Sequence, residues 1–130
     1  MSTVKKIGIW VDHSITNLME YTAGVVKTVT DESNLVKQCL DYNMGNYNPA
    51  MARIYEQNLQ SEIYYKLSKL LENCKEVILF GPTYKKVKLY NILVRDFGFK
   101  NVRIAVVKTD NMTKPEQEAF LEERFSKSNL

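Results

Sequence analysis

Two short apolar runs in the second half of the chain constrain its fold more than any other feature. They are residues 76–81 (EVILFG) and 101–107 (NVRIAVV), and both are typical of buried strands. Between them, residues 83–97 carry apolar side chains at helical spacing, with Thr83 as a candidate cap and Gly98 as a stop. Strands that alternate with helices pair in parallel through right-handed crossovers. The sequence therefore predicts a parallel strand-helix-strand unit.

The first thirty residues have a different pattern of apolar residues. Residues 5–12 form an apolar run that ends on Asp12, and residues 17–22 and 25–30 alternate between apolar and polar side chains. Ala23-Gly24 is a turn signal between the last two runs. Three strands joined by short turns predict an antiparallel meander.

The middle and the end of the chain complete the pattern. Residues 31–50 lack periodicity, and the Asn-rich stretch 41–50 predicts a long loop. Residues 50–73 have apolar side chains three and four apart, which predicts a helix. A last helix is expected from Thr113 to about Phe125, with a proline and a glutamate in its first turn.

The predicted order is β-β-β-α-β-α-β-α in an α/β fold. A meander followed by alternating helices and parallel strands gives one mixed five-stranded sheet with helices on its faces. That architecture is typical of the ribonuclease H-like group. With 130 residues and neither a repeat nor a linker, we expect one domain over residues 1–130.

The positive charge is concentrated in one segment. Residues 1–82 have a formal charge of −1, residues 83–108 of +6 and residues 109–130 of −2. Such asymmetry is an argument for a polyanionic partner. The alternative is a solvated helix face with scattered lysines.

Within this segment, the turn after the strand at 76–81 is the main candidate for binding. A strand ends, a helix begins, and lysines in its first turn would suit a phosphate, while Tyr84 would stack on a base. The candidate RNA contacts are Tyr84, Lys85, Lys86, Lys88, Lys100 and Arg103. An ordinary connection with solvated lysines is the competing interpretation.

Asp12 is the main candidate for catalysis. It ends the first strand, where ribonuclease H-like nucleases hold a metal, and Asp110 and Glu20 are its possible companions. No acidic cluster is evident, so we favour a turn residue whose carboxylate binds backbone amides. Cys39, Cys74 and the single histidine, His13, lack zinc-ligand spacing, and we expect neither a metal nor another cofactor.

The loop at residues 41–50 is a second candidate surface. Its tyrosines and amides, among them Tyr42, Asn46 and Tyr47, would suit single-stranded RNA or a protein partner. The alternative is a flexible loop whose tyrosines pack on the domain. The chain has no apolar run of about 20 residues and no secretory signal, so we expect no membrane partner and a cytoplasmic protein.

With this order assembled, the chain resembles a module of the translation machinery. It is similar to the middle domain of the eukaryotic and archaeal peptide-chain release factors and of Pelota, the ribosome-rescue protein. It is more similar to small stand-alone bacterial proteins called translational machinery proteins. Residues 7–13 (IGIWVDH), 77–82 (VILFGP) with Lys85 and Lys86, the long helix between them, and 102–113 (VRIAVVKTDNMT) carry the resemblance, which covers about residues 5–125.

One departure from that family bears on activity. Release factors hold a Gly-Gly-Gln tripeptide between the meander and the long helix, and this tripeptide promotes hydrolysis of peptidyl-tRNA. Here residues 43–49 read NMGNYNP, and Gln57 falls inside the predicted helix. The resemblance therefore implies a non-catalytic, Pelota-like module bound to the ribosome, tRNA or other structured RNA. A divalent-metal nuclease using Asp12 and a protein-interaction module using residues 41–50 are the alternatives.

Overall fold

The computed structural model describes residues 5–13, 15–43, 62, 64–99 and 101–127, without the side chains of residues 31, 32, 39, 41–43 and 96. The described strands are β1 (Lys5–Val11), β2 (Thr16–Thr22), β3 (Val25–Val29), β4 (Cys74–Gly81) and β5 (Arg103–Lys108). The described helices are α1 (Thr30–Asn43), α2 (residues 64–71), α3 (Lys85–Asn91), continued by a π-helical turn (Ile92–Asp96), and α4 (Lys114–Ser126). The fold is thus mixed α/β with one five-stranded sheet, as predicted.

The sheet combines both kinds of strand pairing. Its strand order is β3-β2-β1-β4-β5. β1 pairs antiparallel with β2, and β2 with β3, which is the predicted meander. β4 pairs parallel with β1 on one side and with β5 on the other. The strands β1, β4 and β5 consequently end at the same edge of the sheet.

The sheet buries both of its faces. In β1, Ile7, Ile9 and Val11 point into one apolar cluster, together with leucines of α1, α2 and α3. Trp10 points to the opposite face and packs in a second cluster with Ile78 and Phe80 of β4 and with Leu121 and Phe125 of α4. Alternation of side chains along a strand produces these two faces. The domain therefore has three layers, with three helices on one face and α4 on the other.

Helix α4 lies very close to β1. An ideal Cβ built on Gly8 would lie 2.2 Å from Cδ1 of Leu121, so glycine permits this approach. Near the helix end, the Nζ of Lys6 donates a hydrogen bond to the carbonyl of Phe125 (3.1 Å). Near its start, buried Gln117 accepts a bond from Asn17 of β2 (3.4 Å). Leucine packing and two polar contacts thus fix α4 on the sheet.

The start of α4 agrees with the sequence. Thr113 is the N-cap, and its hydroxyl accepts a bond from the backbone N–H of Glu116, whose carboxylate accepts from the N–H of Thr113. This reciprocal capping satisfies two backbone donors that a helix leaves unpaired. The backbone hydrogen bond from Thr113 lowers the pKa of Glu116 below its ordinary value.

Residues 31–43 correct the predicted order. We expected them to be irregular, but Thr30–Asn43 is a helix, so two helices lie between β3 and β4. The hydroxyl of Ser33 accepts a bond from the N–H of Leu18 (2.7 Å) and donates one to the carbonyl of Val29 (2.6 Å). Ser33 thus joins the start of this helix to the sheet, and Leu35, Val36 and Leu40 are buried in the apolar cluster beside it.

Two further predictions change at element boundaries. Thr83 does not cap α3: the N-cap is Tyr84, without a side-chain cap bond, and the hydroxyl of Thr83 instead donates to the carbonyl of Val11 (3.4 Å). Tyr42, predicted in a loop, lies in α1, whereas residues 44–50 lie outside the described residues. Of the helix predicted at 50–73, residue 62 and residues 64–73 are described: residues 62 and 64–71 are helical, and residues 72–73 form a turn.

Candidate nucleic-acid interface

The candidate site lies where the three parallel strands end. We call this region the carboxyl edge and define it as residues 11–13, 81–88 and 108–110. Trp10 pairs with Phe80 across β1 and β4, and Gly81 pairs with Lys108 across β4 and β5. The segments after these strands are therefore neighbours, although they are far apart in the sequence.

Gly81 shapes the centre of the carboxyl edge. Its φ is +144°, and an ideal Cβ built on it would lie 2.2 Å from the carbonyl oxygen of Val11. Its own carbonyl accepts a bond from the N–H of Thr109 (3.1 Å). L-residues with a side chain rarely adopt this backbone conformation. Glycine therefore allows β4 to leave the sheet in direct contact with both neighbouring strands.

Two lysines follow this turn, and backbone carbonyls hold both ammonium groups. The Nζ of Lys85 donates to the carbonyl of His13 (2.6 Å), which joins α3 to the segment after β1. The Nζ of Lys86 donates to the carbonyl of Thr83 (2.6 Å), and this residue is only 5% exposed. Burial, and secondarily the charge of Lys108, lowers the pKa of Lys86. Lys86 is thus a buried, structural residue of the turn, whereas Lys85 is half-exposed.

Three lysines at this edge have no carboxylate partner among the described side chains. We call Lys85, Lys88 and Lys108 the lysine patch. The ion pairs in the described part of the chain are Lys5–Glu20, Lys66–Glu62 and Lys127–Glu123, and none reaches the patch. Lys88 and Lys108 are exposed. With Lys86, these residues set four lysines against Asp12 and Asp110, so the edge is net positive.

Tyr84 precedes Lys85 in the sequence and has a largely exposed ring. It is 68% exposed. Other exposed tyrosines of the described chain have ring contacts: Tyr64 stacks on Phe99 (5.6 Å between centroids), and the ammonium of Lys69 lies over Tyr65 (5.7 Å). No such contact involves Tyr84 within the described residues. Its ring is therefore largely exposed and available to a ligand.

The carboxylates proposed for a nuclease are not brought together. The Oδ1 of Asp12 accepts a bond from the N–H of Ile15 (2.7 Å) and its Oδ2 one from the Nε1 of Trp10 (3.0 Å), which confirms the turn interpretation. Glu20 forms an ion pair with Lys5 (2.9 Å). It lies about 17 Å from Asp12 along the strands. Asp110 follows β5, two strands from Asp12. Among the described residues, no group of three potential ligands is placed to hold a metal.

The basic segment divides between two edges of the sheet. Arg103 begins β5 and pairs with Glu76, so it lies about 17 Å from Lys108 at the opposite edge. Lys100, Asn46 and Tyr47 lie outside the described residues, and so does the side chain of Tyr42. Among the predicted RNA contacts, the structure thus brings together Tyr84, Lys85, Lys86 and Lys88.

Sequence reasoning missed Lys108 as a member of the site. The signal was present, because Lys108 ends the strand that follows the turn at Gly81 and parallel strands end at one edge. It also missed the buried pair Asn17 and Gln117 behind this edge. Gln117 lies four and eight residues before Leu121 and Phe125, so helical spacing places it on the buried face of α4.

Comparisons with known proteins assign no family. No protein-family model matches the sequence, and no curated protein matches it significantly. In the described part of the chain, no helix is both long and apolar enough to cross a bilayer.

Cys74 is expected to be unreactive in the folded protein. It is free and 6% exposed, and burial raises its pKa from 9.0 to about 11. In a Cys39→Ser background, we expect alkylation at pH 8 to be about 100-fold slower than in urea, because the thiolate is that much rarer. Because the fold favours the neutral thiol, the contribution of Cys74 to the free energy of unfolding is complete below pH 9 and is lost as the pH rises through 11. Equal rates with and without urea would contradict this prediction.

Proposed function

We propose that the chain is a non-catalytic RNA-binding module of the cytoplasm, acting on structured RNA such as tRNA or the ribosome. The single observation that carries this proposal is the lysine patch: three cations without carboxylate partners among the described side chains lie at the edge of the sheet that also presents the exposed ring of Tyr84. Phosphates are the anions that such a patch favours, and their neutralisation releases counterions. An ammonium has three donors, so Lys85 keeps two for a phosphate after binding the carbonyl of His13.

The setting in translation rests on the resemblance to release factors and Pelota. We further propose a ribonuclease H-like fold, which the antiparallel meander followed by two parallel strands supports. The absence of the Gly-Gly-Gln tripeptide from residues 43–49 supports binding without peptidyl-tRNA hydrolysis. No contact of the described residues favours the nuclease, because the carboxylate of Asp12 is engaged by Trp10 and Ile15.

Lysine substitutions provide the test. We expect Lys85→Ala and Lys108→Ala each to weaken tRNA binding by roughly three- to tenfold at low salt and to reduce the salt slope by about 1. Binding is measured by fluorescence anisotropy over a salt series, with ribosome co-sedimentation beside it. Lys86 is left unchanged, because its burial would mix a loss of binding with a change in the turn.

Lys75→Ala is the matched control for this test. Lys75 is an exposed lysine at the start of β4, about 20 Å from Gly81 along the strand. The same charge is removed, but at the opposite edge of the sheet. We expect its salt slope to equal that of the unmodified protein. If all three variants lost the same affinity for tRNA, net charge alone would explain the effect and the patch would play no part. If the salt slope were unchanged in all three, the proposal would be overturned.

A further inference from the structure

We infer that the carboxyl edge recognises an unpaired nucleotide, with its base stacked on Tyr84 and its phosphates against Lys85 and Lys88. This inference rests on the proposed function and names the part of the RNA that the site takes. Phosphate contacts alone do not distinguish paired from unpaired RNA. The position and environment of the Tyr84 ring make that distinction.

The fold does not require the Tyr84 ring. The backbone at this N-cap is helical (φ −71°, ψ −13°), and its side chain makes no cap hydrogen bond. The ring is largely exposed and lies outside both buried clusters. An exposed aromatic ring without a packing role offers a flat apolar face, and stacking on a base is favourable and tolerant of sequence.

Two exposed or half-exposed lysines follow Tyr84 in the first turn of α3. Tyr84 and Lys88 are four residues apart, so their side chains share one side of the helix start. Lys85 is adjacent in sequence, and its bond to the carbonyl of His13 holds its ammonium near the segment after β1. The ring and Lys88 thus lie on one side of the helix start, and Lys85 adds a second cation in the same turn, an arrangement that suits a base and nearby phosphates.

Base pairing would prevent this contact. Inside a duplex each base face is covered by its neighbours, so a single protein ring reaches a base only at a duplex end or where the strand is unpaired. Unpaired loops and ends of structured RNA expose such faces. The inference therefore narrows the ligand from structured RNA in general to its single-stranded parts.

The test compares two short single-stranded RNAs that carry equal charge. One has all of its bases, and the other has abasic residues at its central positions. We expect the unmodified protein to bind the first at least about fivefold more tightly, since stacking is lost with the bases. Tyr84→Ala should remove this difference, and Tyr84→Phe, which keeps the ring, should preserve it.

Lys85→Ala separates the inference from the proposed function. We expect it to weaken binding of both strands by the same factor and to leave the preference for bases intact. Equal binding of the two strands by the unmodified protein, or an unchanged preference in Tyr84→Ala, would overturn the inference alone. If Lys85→Ala and Lys108→Ala bind both strands as the unmodified protein does, the proposed function fails as well.

Discussion

Replacing Gly81 by alanine is expected to lower the free energy of unfolding by about 3 kcal/mol. The φ of +144° is one that a side chain makes costly, and the new Cβ would lie 2.2 Å from the carbonyl oxygen of Val11. That oxygen belongs to the backbone of a central strand, so it has little freedom to move. Either β4 must shift from β1 or the turn must change, and both disturb the carboxyl edge. Urea unfolding followed by far-ultraviolet circular dichroism measures the effect.

Gly98→Ala is the matched control for Gly81. Gly98 also has a positive φ, +70°, but nothing lies within 4 Å of its ideal Cβ. We expect a cost of about 1 kcal/mol there, which reflects backbone conformation without a steric clash. The difference between the two variants isolates the contact with Val11. If Gly81→Ala were no more destabilising than Gly98→Ala, the close approach of β4 to β1 would be refuted.

Trp10→Ala should cost more, about 4 kcal/mol of unfolding free energy. Trp10 is 1% exposed, and its ring meets that of Phe80 edge to face, with 5.4 Å between centroids. Its Nε1 also donates to the carboxylate of Asp12 (3.0 Å). Truncation would therefore leave a cavity against α4 and remove one donor from the turn after β1. Circular dichroism is the appropriate measurement, because the chain has one tryptophan and the variant loses its fluorescence.

Trp10→Phe separates part of the contribution of Trp10, and Tyr84→Ala is a control at an exposed ring. Trp10→Phe keeps an aromatic ring but removes the donor to Asp12, and we expect a cost of about 2 kcal/mol. Tyr84→Ala removes a ring that is mostly exposed, and we expect a change within about 0.5 kcal/mol. A small effect there would also validate this variant for the binding experiment. A Trp10→Ala protein as stable as Tyr84→Ala would contradict the buried position of Trp10.

The strands were largely predictable because burial of a strand produces an apolar run or an apolar–polar alternation in the sequence. β1, β2 and β3 each lie within about one residue of their predicted bounds. The apolar run before Gly81 predicted a buried strand, and β4 pairs on both sides. The Thr113 to Glu116 capping signal depends only on neighbours in sequence, so it too was predictable.

Features that depend on distant contacts were not predictable. The polar start of α1 is irregular by sequence pattern, because the partner of Ser33 is the backbone of Leu18, which lies in β2. The burial of Lys86 depends on how α3 packs on the sheet, and the separation of Arg103 from Lys108 depends on strand direction and register; charge counting ignores both. The candidate site was therefore predicted in part: the turn, Tyr84 and three of its lysines were named from the sequence, whereas Lys108 was missed and Arg103 lies at the opposite edge.

The attachment of α4 has a consequence for recognition. Gln117, Leu121 and Phe125 recur every four residues and meet Asn17, Gly8 and Lys6 in turn. Turning the helix by one residue, about 100°, would break all three contacts together. Helix α4 thus stiffens the sheet, and the positions of Lys85 at the start of α3 and of Lys108 at the end of β5 are set before any ligand arrives. Binding there would order few backbone torsions, so little of the interaction energy would be lost as conformational entropy.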